Sequence, residues 1–305
     1  MGYKMKRLFF FLTACFAFVG AASAKDRKLV IIAGQQSHPP LMHEFRAGSL
    51  ILEKCLQGVK GLTVEVHTNG WVSNEATLED ADAIFIYSDG KNRHPAVQGD
   101  HLARLGRLIR KGVGFGCAHY GVEVVPTQAG REFKQWIGGH YEHEFSVNPI
   151  WEPDYQEFPQ HPITRGVKPF KVSDEWYFNM RFRDGMQGIT PILVARPSND
   201  VRDGPYVYPK GPYPHIEAAS GREEVMMWAV ERTDGGRGFG FTGGHFHLNW
   251  GDDNFRKTVL NALLWLSKVE VPKEGVISSV RQSELYENLD PKKGLAEILK
   301  ARRKR

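Results

Sequence analysis

Cysteine is scarce in this chain, with three in 305 residues: Cys15, Cys55 and Cys117. That is too few for a disulfide framework, and a chain of this length does not need one. Cys55 and Cys117 read as small buried thiols. Internal repeats and low-complexity stretches are also lacking. No G-x-G-x-x-G follows the first predicted strand, which argues against a dinucleotide-dependent enzyme. The apolar run from Leu8 to Gly20 is short of the roughly 20 residues that a membrane helix needs. A basic surface is missing too, despite a formal net charge of +5. The positive excess sits in residues 1–24 and 292–305, and the stretch between them carries more acidic than basic residues. The high pI is therefore no sign of a nucleic-acid partner.

The two ends read differently from the middle. Lys4, Lys6 and Arg7 precede the apolar run, and Ala22-Ser23-Ala24 supplies an A-x-A cleavage pattern before Lys25. This is the layout of a secretory signal peptide over residues 1–24, and it predicts a periplasmic or secreted protein. A second reading takes Leu12-Thr13-Ala14-Cys15 as a lipobox, with Cys15 as a lipid anchor. Residues 25–271 read as one α/β unit. Residues 272–305 read as a charged extension, solvated or close to a membrane, with a short amphipathic helix around Leu295, Ile298 and Leu299.

Within the unit, short apolar runs bounded by turn residues predict strands: Lys28–Ala33, Leu62–Val66, Ala83–Tyr87, Val113–Cys117, Ile192–Ala195, Val225–Val230 and Gly238–Phe241. Several are apolar on both faces, as in a buried parallel sheet. Amphipathic helices are predicted over 44–56, 100–111 and 254–267. The alternation predicts an open, mostly parallel sheet with helices on both faces. In such sheets ligands bind beyond the carboxyl ends of the strands.

Histidines cluster at those predicted ends. His38 and His43 follow the first strand, Asp89 and His94 the third, His119 the fourth, and His245 the last. Imidazole near neutral pH can act as acid, base or metal ligand. His67, His101, His161 and His215 fall outside this pattern and read as ordinary surface or capping groups. Gly116-Cys117-Ala118-His119-Tyr120-Gly121 reads as a strand–turn–helix elbow that presents His119 at a helix start. Glu123 would then lie one helical turn below His119 and orient it. In Asp174-Glu175-Trp176-Tyr177, neighbouring side chains of an extended segment point to opposite sides, so one of the two carboxylates faces a given pocket. Trp176 and Tyr177 are candidate platforms for a sugar ring. Glu142 and Asn148 are weaker candidates for binding. His38, His43, His119 and His245 could hold a divalent metal such as zinc, with ligands drawn from separate loops.

The elbow, Gly138-Gly139, His161-Pro162-Ile163-Thr164-Arg165-Gly166, Asp174-Glu175-Trp176-Tyr177 and Gly243-Gly244-His245 occur in an order that resembles the ThuA-like, or trehalose-utilisation, family, from about Lys28 to Leu266. The resemblance implies a flavodoxin-like fold similar to class I glutamine amidotransferases. It also implies a role in sugar catabolism, where disaccharides are handled as keto-sugars, and it favours Glu175 as the pocket carboxylate. Related amidotransferases carry a nucleophilic cysteine at the elbow. Here His119 takes that place and Cys117 falls two residues earlier. The expectation is an exported enzyme acting on a glycoside or keto-sugar by hydrolysis, elimination or isomerisation. His119 would be the acid/base, Glu175 or Glu123 its partner, and His245, His38 and His43 would bind substrate or metal. A noncatalytic carbohydrate-binding protein and a Cys117-dependent amidase remain as alternatives. The expected partner is a small carbohydrate; the oligomeric state is not read from the sequence.

Overall fold

In the computed structural model, which describes residues 1–2 and 26–302, seven strands form one central sheet. The predicted signal peptide and Cys15 fall almost wholly outside the described residues. The strands are β1 (Arg27–Ala33), β2 (Leu62–His67), β3 (Ala83–Tyr87), β4 (Gly114–Ala118), β5 (Ile189–Ala195), β6 (Glu224–Glu231) and β7 (Arg237–Phe241). Their order is β5-β6-β7-β4-β3-β1-β2. The run from β7 to β2 is parallel throughout, while β5 and β6 close one edge in antiparallel fashion.

The strand sequences explain the layering. Alternate residues of β1 go to opposite faces: Leu29, Ile31 and Ala33 join one apolar cluster, and Val30 and Ile32 join another. Both faces need covering, since bare apolar sheet costs about 25 cal/mol per Å². Helices α1 (Phe45–Leu56) and α4 (Asp253–Leu266) cover the first face. On the second lie α2 (His101–Arg110) and α3 (Arg131–Trp136). Helix α4 starts where Asp252 accepts hydrogen bonds from the backbone of Asn254 and Phe255, an N-cap.

The segment between α3 and β5 forms short two-residue ladders rather than a further layer, and it lies over the carboxyl end of the sheet. The predicted C-terminal helix is present as α5 (Leu295–Arg302). The chain leading to it is not a loose solvated extension. Val276 and Leu285 enter the core. Lys292, one of the cations read as tail charge, is buried: its ammonium donates to the carbonyls of Met42 and His43 and lies 3.1 Å from the fully buried Glu44 carboxylate. Among the described residues no helix is long and apolar enough to cross a membrane.

Candidate metal and substrate site

Strands β1, β3, β4 and β7 are neighbours in the parallel part of the sheet, so their exits lie side by side. The close approach of the first two exits needs a glycine: a Cβ on Gly34 would come within 2.7 Å of Ser88. The loop after β1 is then tied to the loop after β7. His43 donates its backbone N–H to the His245 carbonyl, and His247 donates to that of Leu41. His38, Leu41, His43 and His119 all have positive φ, between 47° and 66°. A non-glycine residue adopts that conformation at some cost, which the surrounding contacts must offset.

These loops bring three imidazoles and a carboxylate together. His43 Nε2 lies 2.9 Å from His245 Nδ1 and 3.0 Å from His119 Nε2. Glu175 Oε2 lies 2.6 Å from His245 Nδ1 and 3.6 Å from His119 Nε2. All four residues are buried, and one ligand atom from each falls within 4.8 Å of the others.

The outer nitrogens fix the inner ones. His119 Nδ1 lies 3.0 Å from the Thr242 carbonyl, which can only accept, so that nitrogen carries the proton. His43 Nδ1 is 3.1 Å from the Asp89 carboxylate, which receives its N–H in the same way. Burial, reinforced by the neighbouring imidazoles, pushes both rings well below the usual histidine range, so both are neutral near pH 7. Each then presents an Nε2 lone pair, and the two face each other at 3.0 Å, with the Tyr177 hydroxyl, 3.2 Å from His119, and His245 Nδ1, 2.9 Å from His43, as the donors within reach. A shared cation would relieve that repulsion. In tetrahedral zinc sites with bonds of about 2.0–2.1 Å, ligand atoms sit roughly 3.4 Å apart, and the four contacts here bracket that spacing. The buried cluster could therefore hold a metal ion, with Asp89 and the Thr242 carbonyl as the outer partners that orient ligating histidines.

Asp174 and Glu175 divide their work as alternation requires. Glu175 faces the cluster and accepts from Asn148. Asp174 points the other way and accepts the backbone N–H groups of Gly244 and His245, which fixes the loop that carries His245. Tyr177 follows Glu175 into the site, its hydroxyl 3.2 Å from His119 Nε2.

Above the cluster opens a cavity of about 260 Å³, lined by His38, His43, Lys91, Tyr120, Glu123, Asn148, Glu175, Tyr177, Val207, Tyr208 and His245. Asp89 sits behind it, bonded to His43 and Ser37. His38 stacks on His43 with ring centroids 3.5 Å apart. Glu123 is nearly buried, and burial raises its carboxyl to about 7, opposed by Lys91 at 3.4 Å. One Glu123 oxygen and the buried Tyr141 hydroxyl have no hydrogen-bond partner.

Five expected roles meet a different geometry. No helix begins at His119; a single 3-10 turn, His119–Val122, follows β4. Glu123 consequently stands on the cavity wall beside Lys91 and does not orient His119. Trp176 is no sugar platform, because alternation turns it into the core against Phe241 and Phe255. His94 is buried away from the cavity, with one ring nitrogen capping Ala96 and the other bonded to the Gly121 carbonyl. Glu142 is taken up by a two-pronged pairing with Arg181. Cys117 lies inside β4 among apolar side chains, where burial pushes its thiol well up and away from thiolate. Sequence reasoning passed over Lys91, Tyr120 and Tyr208. The first two adjoin strand-exit residues that were singled out, which was the available signal.

A family model described as ThuA, trehalose utilisation, matches residues 32–266. Among solved structures, a ThuA-like protein from Bacteroides uniformis ATCC 8492 is similar at 14% identity and a TM-score of 0.57, over 82% of this chain and 95% of that one. A second ThuA-like protein, from Parabacteroides merdae ATCC 43184, shares 16% identity at a TM-score of 0.55, over 85% of this chain and 99% of that one. At such identity these two speak for the fold alone. No curated protein matches the sequence.

Proposed function

The chain belongs to the ThuA, or trehalose-utilisation, family, and from that premise we propose that it is an exported, metal-dependent enzyme of carbohydrate catabolism that acts on a glycoside or keto-sugar. The observation that carries this reading is the pair of opposed Nε2 lone pairs on His43 and His119 beneath a polar cavity. His43, His119, His245 and Glu175 hold the ion, and a borderline metal such as zinc suits their three nitrogens and one oxygen. When bound, it polarises a sugar carbonyl or activates a water.

The chain's own groups do the rest. In this reading His119 is a ligand, so proton transfer falls to Glu123, whose raised carboxyl is matched to work near neutral pH. Lys91, 3.4 Å from one Glu123 oxygen, lines the same cavity and offers a cation beside that carboxyl. Asn148 and Tyr177 hold Glu175 and the cluster in place while lining the cavity. Hydrolysis, elimination and isomerisation all need a proton moved beside a carbonyl or glycosidic oxygen, and the site supplies that step for each.

The test is metal analysis of purified protein together with turnover of disaccharides and their keto derivatives. We expect about one divalent ion per chain, none in His119→Ala, and loss of turnover on chelation that the metal restores. Metal-free protein with full activity overturns the metal. Sugar binding without any turnover in the metal-loaded protein points instead to a carbohydrate-binding module.

A further inference from the structure

The stretch that matches the family ends at residue 266, and the chain beyond it returns to the site. From Val276 to Lys292 it runs as a strap, fastened at successive points. The Val276 backbone N–H donates to the Asn261 side chain, and the buried Arg256 guanidinium donates to the Ser278 carbonyl. Leu285 enters the core. Farther on, the Asn288 carbonyl accepts from Arg46 in the first turn of α1. The strap so passes from α4 to the amino end of α1 and finishes against the loop that carries His43.

Two residues make that last contact. Glu44 is fully buried and Lys292 nearly so, with their charged atoms 3.1 Å apart. The ammonium donates to the Met42 carbonyl at 2.6 Å and to the His43 carbonyl at 3.3 Å. The carboxylate accepts the backbone N–H of Leu41 at 2.8 Å and that of Asp290 at 3.0 Å. The peptide before His43 is therefore held at both ends, its carbonyl by Lys292 and its N–H by the His245 carbonyl. The peptide after His43 is held by Lys292 again. This grip falls on strained backbone: φ is 66° at Leu41 and 47° at His43. Side-chain-bearing residues keep such angles only where their surroundings over-determine them.

A buried ion pair is a poor device for stability alone. Two charges must leave water, and well-packed apolar side chains in their place are often neutral or better. What the pair supplies is direction. An ammonium has three donors, and here they are aimed at two carbonyls and a carboxylate around one histidine. Neither Glu44 nor Lys292 offers a ligand atom to the cluster.

Resting on the reading of His43, His119, His245 and Glu175 as a metal cluster, we propose that Glu44 and Lys292 are its positioning residues: through them the strap holds the His43 backbone in its left-handed conformation, aims Nε2 at the ion and raises the affinity for it.

An apolar replacement of the pair separates this role from stability. Glu44→Met/Lys292→Met should remain folded by circular dichroism, while its zinc affinity, read by competition with a chromogenic chelator, falls by about tenfold or more, as for other outer partners of metal-bound histidines. The visible spectrum of the cobalt-loaded double variant should shift, because it reports ligand geometry. Ile109→Ala, in the core on the opposite face of the sheet, is the control: it should unfold more readily and keep wild-type zinc affinity. Should the double variant not fold, Lys292→Gln keeps a donor without the charge, and its affinity should fall in the same direction. Folded pair variants with wild-type affinity and an unchanged cobalt spectrum overturn the positioning role and leave the metal reading standing. An equal loss in Ile109→Ala overturns it too, since general destabilisation would then suffice. A wild-type protein that binds no ion removes the cluster reading and this inference together.

Discussion

Two sets of buried imidazoles in this molecule look alike by exposure and differ in what they face. His94 and His140 turn their bonds to backbone groups near them in the chain or fold. His43, His119 and His245 instead turn nitrogens toward one another, from loops as far as 202 residues apart. Burial lowers the pKa of His94 and His140 just as it lowers those of His43 and His119. Desolvation therefore cannot separate the two sets. The direction of the second nitrogen can.

The strongest way to break the comparison is to remove one member of each set. His43→Ala should abolish stoichiometric metal binding, measured by mass spectrometry of the purified protein, while the fold persists. His94→Ala should do the reverse: metal is retained, and thermal or urea unfolding shows a loss of about 1–3 kcal/mol because the Ala96 N–H and Gly121 carbonyl lose their partner. A His94 variant that also lost its metal would erase the distinction. A milder probe is Asp89→Asn, which keeps the shape and removes the carboxylate behind His43. Outer partners of metal-bound histidines contribute about 10- to 100-fold in affinity, so competition with a chelator should show a drop of that order.

A last probe concerns pH. Glu123 is raised from its ordinary 4.5 to about 7, first by desolvation. The folded protein thus holds that proton more tightly than the unfolded chain does. Stability should fall as pH rises from about 4.5 to about 7, by at most about 3 kcal/mol. Glu123→Gln should flatten that part of the stability curve and cost turnover near neutral pH. An unchanged curve would mean that Lys91 compensates the buried charge in full.

The sheet and the strand exits were legible in the sequence because both rest on local signals. Apolar runs mark the strands, and the rule that ligands gather at their carboxyl ends selects His38, His43, Asp89, His119 and His245, together with His94, which the fold turns away from the cavity. The finer assignments failed where the decision was three-dimensional. Tyr177 and Trp176 share composition and neighbourhood, and only the phase of one extended segment sends the first to the cavity and the second to the core. Glu123 depended on whether a helix or a single turn followed His119. Lys292 read as one of many tail cations, because a charge buried against a carboxylate from the far end of the chain leaves no trace in its own surroundings.

That last contact joins distant parts of the chain. Glu44 follows His43 directly, and it is gripped from the far end of the polypeptide by Lys292 and by the backbone N–H of Asp290. The first histidine loop is therefore held from two sides, by the loop after β7 and by this late segment. If the cluster holds an ion, its first histidine is thus positioned in part by residues from the far end of the polypeptide.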